Sequence, residues 1–238
     1  MITVLGRELR GYFRSPMGWV IAAAVLFIDG LLFNGFAVGS GKRLSSEVVR
    51  DFFYFSSGTT MIAGLLLSMR LFAEELQVGT QVLLRTAPLS DWSIILGKFL
   101  AAFAYLALIT LATLPMILLV DLHGQLGTGH LVAGYTGLLL IAAASVAIGT
   151  LASSVADNQV VAAILGAAIL VSLLLCWLLA RITEPPISDL LSHLSFFDKH
   201  FTAFMEGEIR TPDVAYYFSV TWVCLLITSG VQRMRRWR

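Results

Sequence analysis

The side chains able to do chemistry are few and widely spaced. His193 and His200 stand seven residues apart, close to one face of a helix. Two imidazoles without a third ligand do not make a zinc site, so the reading is a chain that binds no metal. The stretch GSGKR at Gly39–Arg43 has the glycine–lysine pairing of a phosphate loop. It fails as one, because Phe36 stands where the first glycine belongs and Arg43 where a Ser or Thr must reach magnesium. Cys176 and Cys224 both fall inside apolar runs and read as reduced thiols, neither a disulfide framework nor metal ligands. Asp29 is an acid within an apolar run, which makes it a functional-site candidate by default. With Gly30 beside it and Asn34 nearby, it reads as structural or cavity-lining and not as a proton relay. No Ser/His/Asp cluster converges, so the chain is not expected to be an enzyme or to bind a cofactor.

The elements that carry these residues are built for lipid. Of 238 residues, 58% are hydrophobic and only 13% charged, half the charged share of a soluble domain. The net charge of +1 offers nothing to nucleic acid. A span needs about 20 mostly apolar residues, and the sequence holds six such runs: about 17–38, 52–72, 99–120, 131–153, 160–180 and 214–231. The first is of full span length, so it reads as a span and not as a signal peptide. Each must be a helix, because irregular backbone cannot face hydrocarbon. The expectation is an all-α integral membrane protein with one transmembrane domain over residues 1–238.

Orientation follows from Lys and Arg. With the N-terminus in the cytoplasm, ten of the sixteen basic residues fall inside and six outside. Both termini are therefore expected in the cytoplasm. In the small-residue pairs Ala162/Gly166 and Ala163/Ala167 of the fifth span, helices can approach closely, within the chain or between two copies.

Polar structure concentrates in two connections. In the first, residues 73–98, Phe72, Leu76, Leu83 and Leu84 recur near helical spacing, with Glu75, Gln77, Gln81 and Arg85 between them. Glu74 and Glu75 are placed in the first turn, where the helix dipole favours acids, and Pro88 is placed at the stop. The expected helix is Glu74–Ala87. Ser90 and Asp91 offer caps for a new helix, and Trp92 suits a headgroup-level anchor. Such a helix either lies on the lipid surface or docks a cytoplasmic protein. Its acids ahead of a single Arg85 favour the protein.

In the second connection, Leu190, Leu194, Phe197, Phe201 and Phe204 form a helical stripe. Thr211–Pro212–Asp213 is a helix start. This implies a short amphipathic helix or a broken re-entrant pair before the sixth span. It serves as an outer gate, a dock for an external partner, or simple packing against the spans.

The pattern Glu74, Glu75, Gly79, Thr80, Leu83, Leu84, Thr86, Pro88, Gly97, Lys98 resembles the permeases of type 2 ABC transporters. The resemblance covers nearly the whole chain. It implies that the segment after span two is a coupling helix, docking an ATP-binding subunit through Glu74, Glu75, Gly79, Thr80, Leu83, Leu84, Thr86 and Pro88. Leu76 and Gln77 stand where the family commonly has a basic residue. The opening ELRGYFRSPMGWV resembles the family's elbow helix, with Leu5, Leu9 and Phe13 on one face and Arg7, Arg10 and Arg14 on the other. The residues Ser195, His200, Phe201, Phe204, Gly207, Ile209, Asp213, Tyr217 and Phe218 resemble the gliding-motility (Gld-type) and copper-maturation (Nos-type) permeases. This makes Phe197, His200, Phe201 and Phe204 candidates for an outer gate or partner contact.

The resemblance implies two ATP-binding subunits, a second permease chain (identical or a sister), ATP and Mg held by the partner alone, and a bacterial-type inner membrane. An extracytoplasmic auxiliary protein would fit mechanical work in place of solute export. The alternative is an ATPase-independent secondary carrier, but the halves show no internal repeat that would support one.

Overall fold

Pro16 has no N–H to donate and so opens a helix readily, which divides the N-terminal amphipathic segment from the first span. The structure is a computed structural model that describes residues 1–38, 45–80, 90–123 and 127–236. Among these residues there are helices and no strands. Helix α1 (Ile2–Arg14) ends at Ser15, and α2 (Pro16–Leu32) follows at once, continuing into a π-helical turn, Phe33–Val38. Then come α3 (Ser45–Ser68), α4 (Arg70–Val78), α5 (Asp91–Leu111), α6 (Leu114–His123), α7 (Thr128–Val155), α8 (Gln159–Ile182), two short helices α9 (Ile187–Leu194) and α10 (Phe201–Met205), and α11 (Thr211–Arg236).

Six helical units are long and apolar enough to cross a membrane, as the six apolar runs require. The protein is an all-α integral membrane protein. The face carrying α1 and the end of α11 is termed proximal, and the opposite face distal.

Helix α7 is the hub. Within its most apolar stretch 78% is buried, against 17% for α8 and 22% for α2. Its small residues explain this: Gly134, Gly137, Ala144, Ser145, Ala147 and Gly149 are all buried and let α3 and α11 approach closely. At Gly149 the approach is closest, since a Cβ there would overlap Ser68 Oγ of α3. The α5–α6 break at Ala112–Thr113 has a local cause. Pro115 cannot donate and crowds the carbonyl four residues back, and Thr113 Oγ1 instead bonds Thr110 O at 2.7 Å and the Tyr135 hydroxyl at 3.0 Å.

Two expectations are corrected here, and one open alternative is decided. The helix expected at Glu74–Ala87 begins earlier and ends at Gly79: α4 is Arg70–Val78, and Gly79 adopts φ 76°, a left-handed conformation that stops a helix. Glu74 and Glu75 therefore lie in its second turn, not its first. Leu83, Leu84, Thr86 and Pro88 lie outside the described residues. Of the two readings of the distal stripe the broken one holds, since α9 and α10 are separated by non-helical residues 195–200. The face that α1 buries is also rotated from the expected one. Val4 and Tyr12 are buried, Leu5 and Leu9 only half-buried, and Phe13 is exposed.

Candidate functional site

The polar groups of the proximal face converge on one interruption of helical hydrogen bonding, at Met69. Helices α3 and α4 run on from one another through Met69, and three carbonyls along the joint each receive a side-chain donor from a different element. The Tyr12 hydroxyl of α1 donates to Leu67 O at 2.7 Å, Ser153 Oγ of α7 to Met69 O at 2.7 Å, and Lys98 Nζ of α5 to Leu71 O at 2.6 Å. Ser153 Oγ also accepts the N–H groups of Phe72 and Ala73, both at 3.0 Å. Arg70 lies over the Tyr12 ring, 4.5 Å from its centroid, and faces Glu74 at 3.9 Å. Three of the carbonyls at the joint thus have donors inside the protein, where hydrocarbon could offer none, and those donors come from residues far away in sequence.

Lys98 is the centre of the cluster. It is 1% exposed, so its ammonium must be paired. It meets Glu75 Oε1 at 2.8 Å and Glu8 Oε1 at 3.4 Å. Arg7 closes the ring, 2.8 Å from Glu8 and 3.4 Å from Glu75. Burial works against the Glu8 charge, but the Lys98 and Arg7 charges more than offset it and hold that carboxyl below its ordinary range. Elbow helix, α4 and the base of α5 are thus tied through one ammonium.

Of the residues named from sequence, Glu75 lies in this cluster and Glu74 at its edge. Gly79 and Thr80 are exposed beyond it, and Arg7 joins it while Arg10 and Arg14 remain on the exposed face of α1. Beside α4, Gln77 and the Asn158–Gln159 turn line a cavity of about 480 Å³. Asn158 caps α8 there, its Oδ1 accepting from Val161 N at 2.9 Å. Tyr12, Ser153 and Glu8 were missed by sequence reasoning. Glu8 had a signal, an acid on a basic amphipathic helix; Ser153 had none. Lys98 belongs to the family pattern, and its position at the foot of an apolar run is the signal for burial.

On the distal face His200 is buried and stacks on Tyr216 at 3.9 Å. Its Nδ1 lies 2.7 Å from Asp213 Oδ1 and its Nε2 3.2 Å from His193 O. His193 contributes its carbonyl there, while its ring turns back to Asp189 O at 2.6 Å. Phe201 and Phe204 are fully buried beneath, with Phe196 and Tyr217. Phe197 is half-buried at the edge of this core. Among the described residues no three His, Cys, Asp or Glu side chains are grouped to hold a metal ion. Trp92 stacks on Trp222 of α11, ring centroids 5.8 Å apart. Asp29 is buried and accepts from Thr59 Oγ1 at 2.7 Å, which ties α2 to α3 just before the π-helical turn.

The model of the ABC-2 family transporter proteins matches residues 2–231. The chain belongs to the ABC-2 transporter family. No curated protein matches it. ABC-2 membership makes it a multi-pass membrane protein of the permease type, a transmembrane subunit that typically carries no catalysis of its own and partners an ABC ATP-binding subunit.

Proposed function

We propose that this chain is the membrane-spanning half of an ATP-driven transporter, with its proximal face in the cytoplasm of a bacterial-type inner membrane and its single transmembrane domain spanning residues 1–238. Two ATP-binding subunits dock on that face and hold ATP and Mg; this chain binds neither. A second permease chain, identical or a sister, completes the complex. The coupling contact comprises Glu74, Glu75, Gly79, Thr80, Leu83, Leu84, Thr86 and Pro88.

The observation that carries this reading is the Lys98 cluster. A push on α4 moves Glu75 and the Leu71 carbonyl, and both are held by Lys98 at the foot of α5 and, through Glu8, by the elbow helix. Docking at α4 therefore reaches three elements at once.

At the distal face, Phe197 lies at the edge of the proposed gate or partner contact and the buried His200, Phe201 and Phe204 support it from beneath, in keeping with the Gld-type and Nos-type resemblance. The exposed apolar side chains of α9, Ile187, Leu190 and Leu194, favour the variant in which the complex does mechanical work on an extracytoplasmic protein.

The test is to purify the chain in mild detergent from its native membrane and assay ATPase activity, for wild type and for Glu75→Arg plus Leu83→Asp. The expected result is an ATP-binding subunit that co-purifies with wild type and is lost in the variant. A wild-type chain that emerges alone, without ATPase, overturns the proposal in favour of an ATPase-independent carrier.

A further inference from the structure

A cavity of about 580 Å³ opens on the distal face between the start of α3 and the segment joining α9 to α10. Arg50 and Asp198 both line it, with Tyr54, Phe55, Phe197 and Met205. Arg50 is exposed and has no ion-pair partner among the described residues. Asp51, on the same rim, has a partner of its own. The Asp198 carbonyl accepts from Thr202 Oγ1 at 2.7 Å, and among the described residues its carboxylate, on the cavity lining, has no hydrogen-bond donor. Burial pushes that carboxyl up, opposed by the charge of Arg181.

The aromatic wall is fixed. Tyr54 meets Phe55 at 5.4 Å and Phe197 at 5.5 Å, both edge-on, and Phe197 leans on the buried Phe201 at 5.3 Å. Below Tyr54, Gly58, Ile62 and Leu66 follow at four-residue steps, on one line of the helix. Tyr54 is 52%, Ile62 61% and Leu66 36% exposed, and nothing lies within 4 Å of where a Cβ on Gly58 would sit. The open line from Tyr54 to Leu66 runs about 18 Å, slightly more than the roughly 15 Å of one leaflet's hydrocarbon. A cavity with charged groups on its rim, at the head of an open apolar strip of leaflet length, matches the layout of a lipid.

We propose that this cavity holds the headgroup of a phospholipid bearing a primary amine, its phosphate on Arg50, its ammonium on Asp198, and one acyl chain along Tyr54, Gly58, Ile62 and Leu66. Arg is the side chain suited to phosphate because its planar fork donates two parallel hydrogen bonds. A primary ammonium donates to a carboxylate, whereas the quaternary ammonium of a choline lipid has no N–H to donate. The cavity thus distinguishes headgroups by their hydrogen-bonding capacity as well as by charge. The inference needs only this chain and a bilayer, and stands apart from whether an ATPase drives it.

The experiment is native mass spectrometry of the full chain in a neutral detergent, titrated separately with phosphatidylethanolamine, phosphatidylcholine and phosphatidylglycerol, and with soluble phosphoethanolamine as competitor. Wild type is expected to retain the ethanolamine lipid about tenfold better than the choline lipid. Arg50→Gln is expected to lower retention of both ethanolamine and glycerol lipids by about tenfold. Asp198→Asn removes the preference for ethanolamine over choline while phosphate binding persists. Arg210→Gln, at an exposed residue paired with Glu208 and not lining the cavity, leaves retention unchanged, and monodisperse elution of each variant in size-exclusion chromatography reports on its folding. Equal retention of ethanolamine and choline lipids by wild type, or undiminished retention by a folded Arg50→Gln chain, overturns the proposal. Full displacement of the lipid by equimolar phosphoethanolamine also overturns it, because the site would then recognise a soluble headgroup without the acyl groove.

Discussion

Lys98 donates to one carbonyl and two carboxylates while almost wholly removed from solvent. Removing one partner of a buried ion pair costs more than the pair is worth, because the remaining charges stay buried. Lys98→Met is therefore expected to destabilise the folded chain by about 3–5 kcal/mol, read as a lower melting temperature in detergent. Glu75→Gln keeps an acceptor for Lys98 and is expected to cost only about 1–2 kcal/mol. The cluster also sets an acid limb. Glu8 has its folded-state pKa lowered, burial being outweighed by Lys98 and Arg7. Its contribution is complete above the free glutamate value of about 4.3 and is lost as pH falls through the lower folded value. Melting temperature measured down to about pH 3 should fall more steeply for wild type than for Glu8→Gln. An equal slope in both proteins would show that the elbow contact carries no linkage.

At the scale of elements, the break at Met69 behaves as a joint whose backbone is held by other helices. Ser153→Ala removes the acceptor of two N–H groups and the donor to Met69 O. Faster amide exchange at Phe72 and Ala73, with the rest of α3 unchanged, is the expected result by hydrogen-exchange mass spectrometry. Gly149→Ala sets a methyl against Ser68 Oγ and is expected to cost about 1–3 kcal/mol by overpacking. These two residues mark the limit of what was legible in the sequence. The spans were legible because hydrocarbon demands long apolar runs, and Ser90 was legible as a cap, accepting from Ser93 N at 3.3 Å. The joint at Met69 was not, since no Pro or Gly stands there and its backbone is held by Tyr12, Lys98 and Ser153. The stop at Gly79 is visible as a residue type, but in the sequence Pro88 is the stronger helix breaker and masks it. The distal stripe kept its apolar residues buried at Phe201 and Phe204 but changed backbone at Ser195, where Phe196 N turns to Leu173 O of α8 at 3.3 Å. That tertiary contact leaves no mark on helical spacing.

The whole molecule is organised around α7, with α2 and α8 presenting mostly open apolar surface. The asymmetry predicts where substitutions are tolerated. Ala144→Leu, at a fully buried hub position, is expected to overpack the core and cut accumulation of folded protein in the membrane. Ile164→Ala on α8, where the side chain is 63% exposed, is expected to leave accumulation unchanged. Comparing the two by fluorescence-detected size-exclusion chromatography checks the hub assignment, and equal behaviour would contradict it.

The three donors at the joint limit how such a protein can be recombined. Tyr12, Lys98 and Ser153 come from the first, fifth and seventh helices, yet all three grip one short stretch of backbone. Residues 67–80 are therefore not an interchangeable cassette. A chimera that imports this segment from a sister chain must bring matching donors at positions 12, 98 and 153, or the imported backbone will lose its partners. Drift in any one of these helices is constrained by the other two, even where they share no contact of their own.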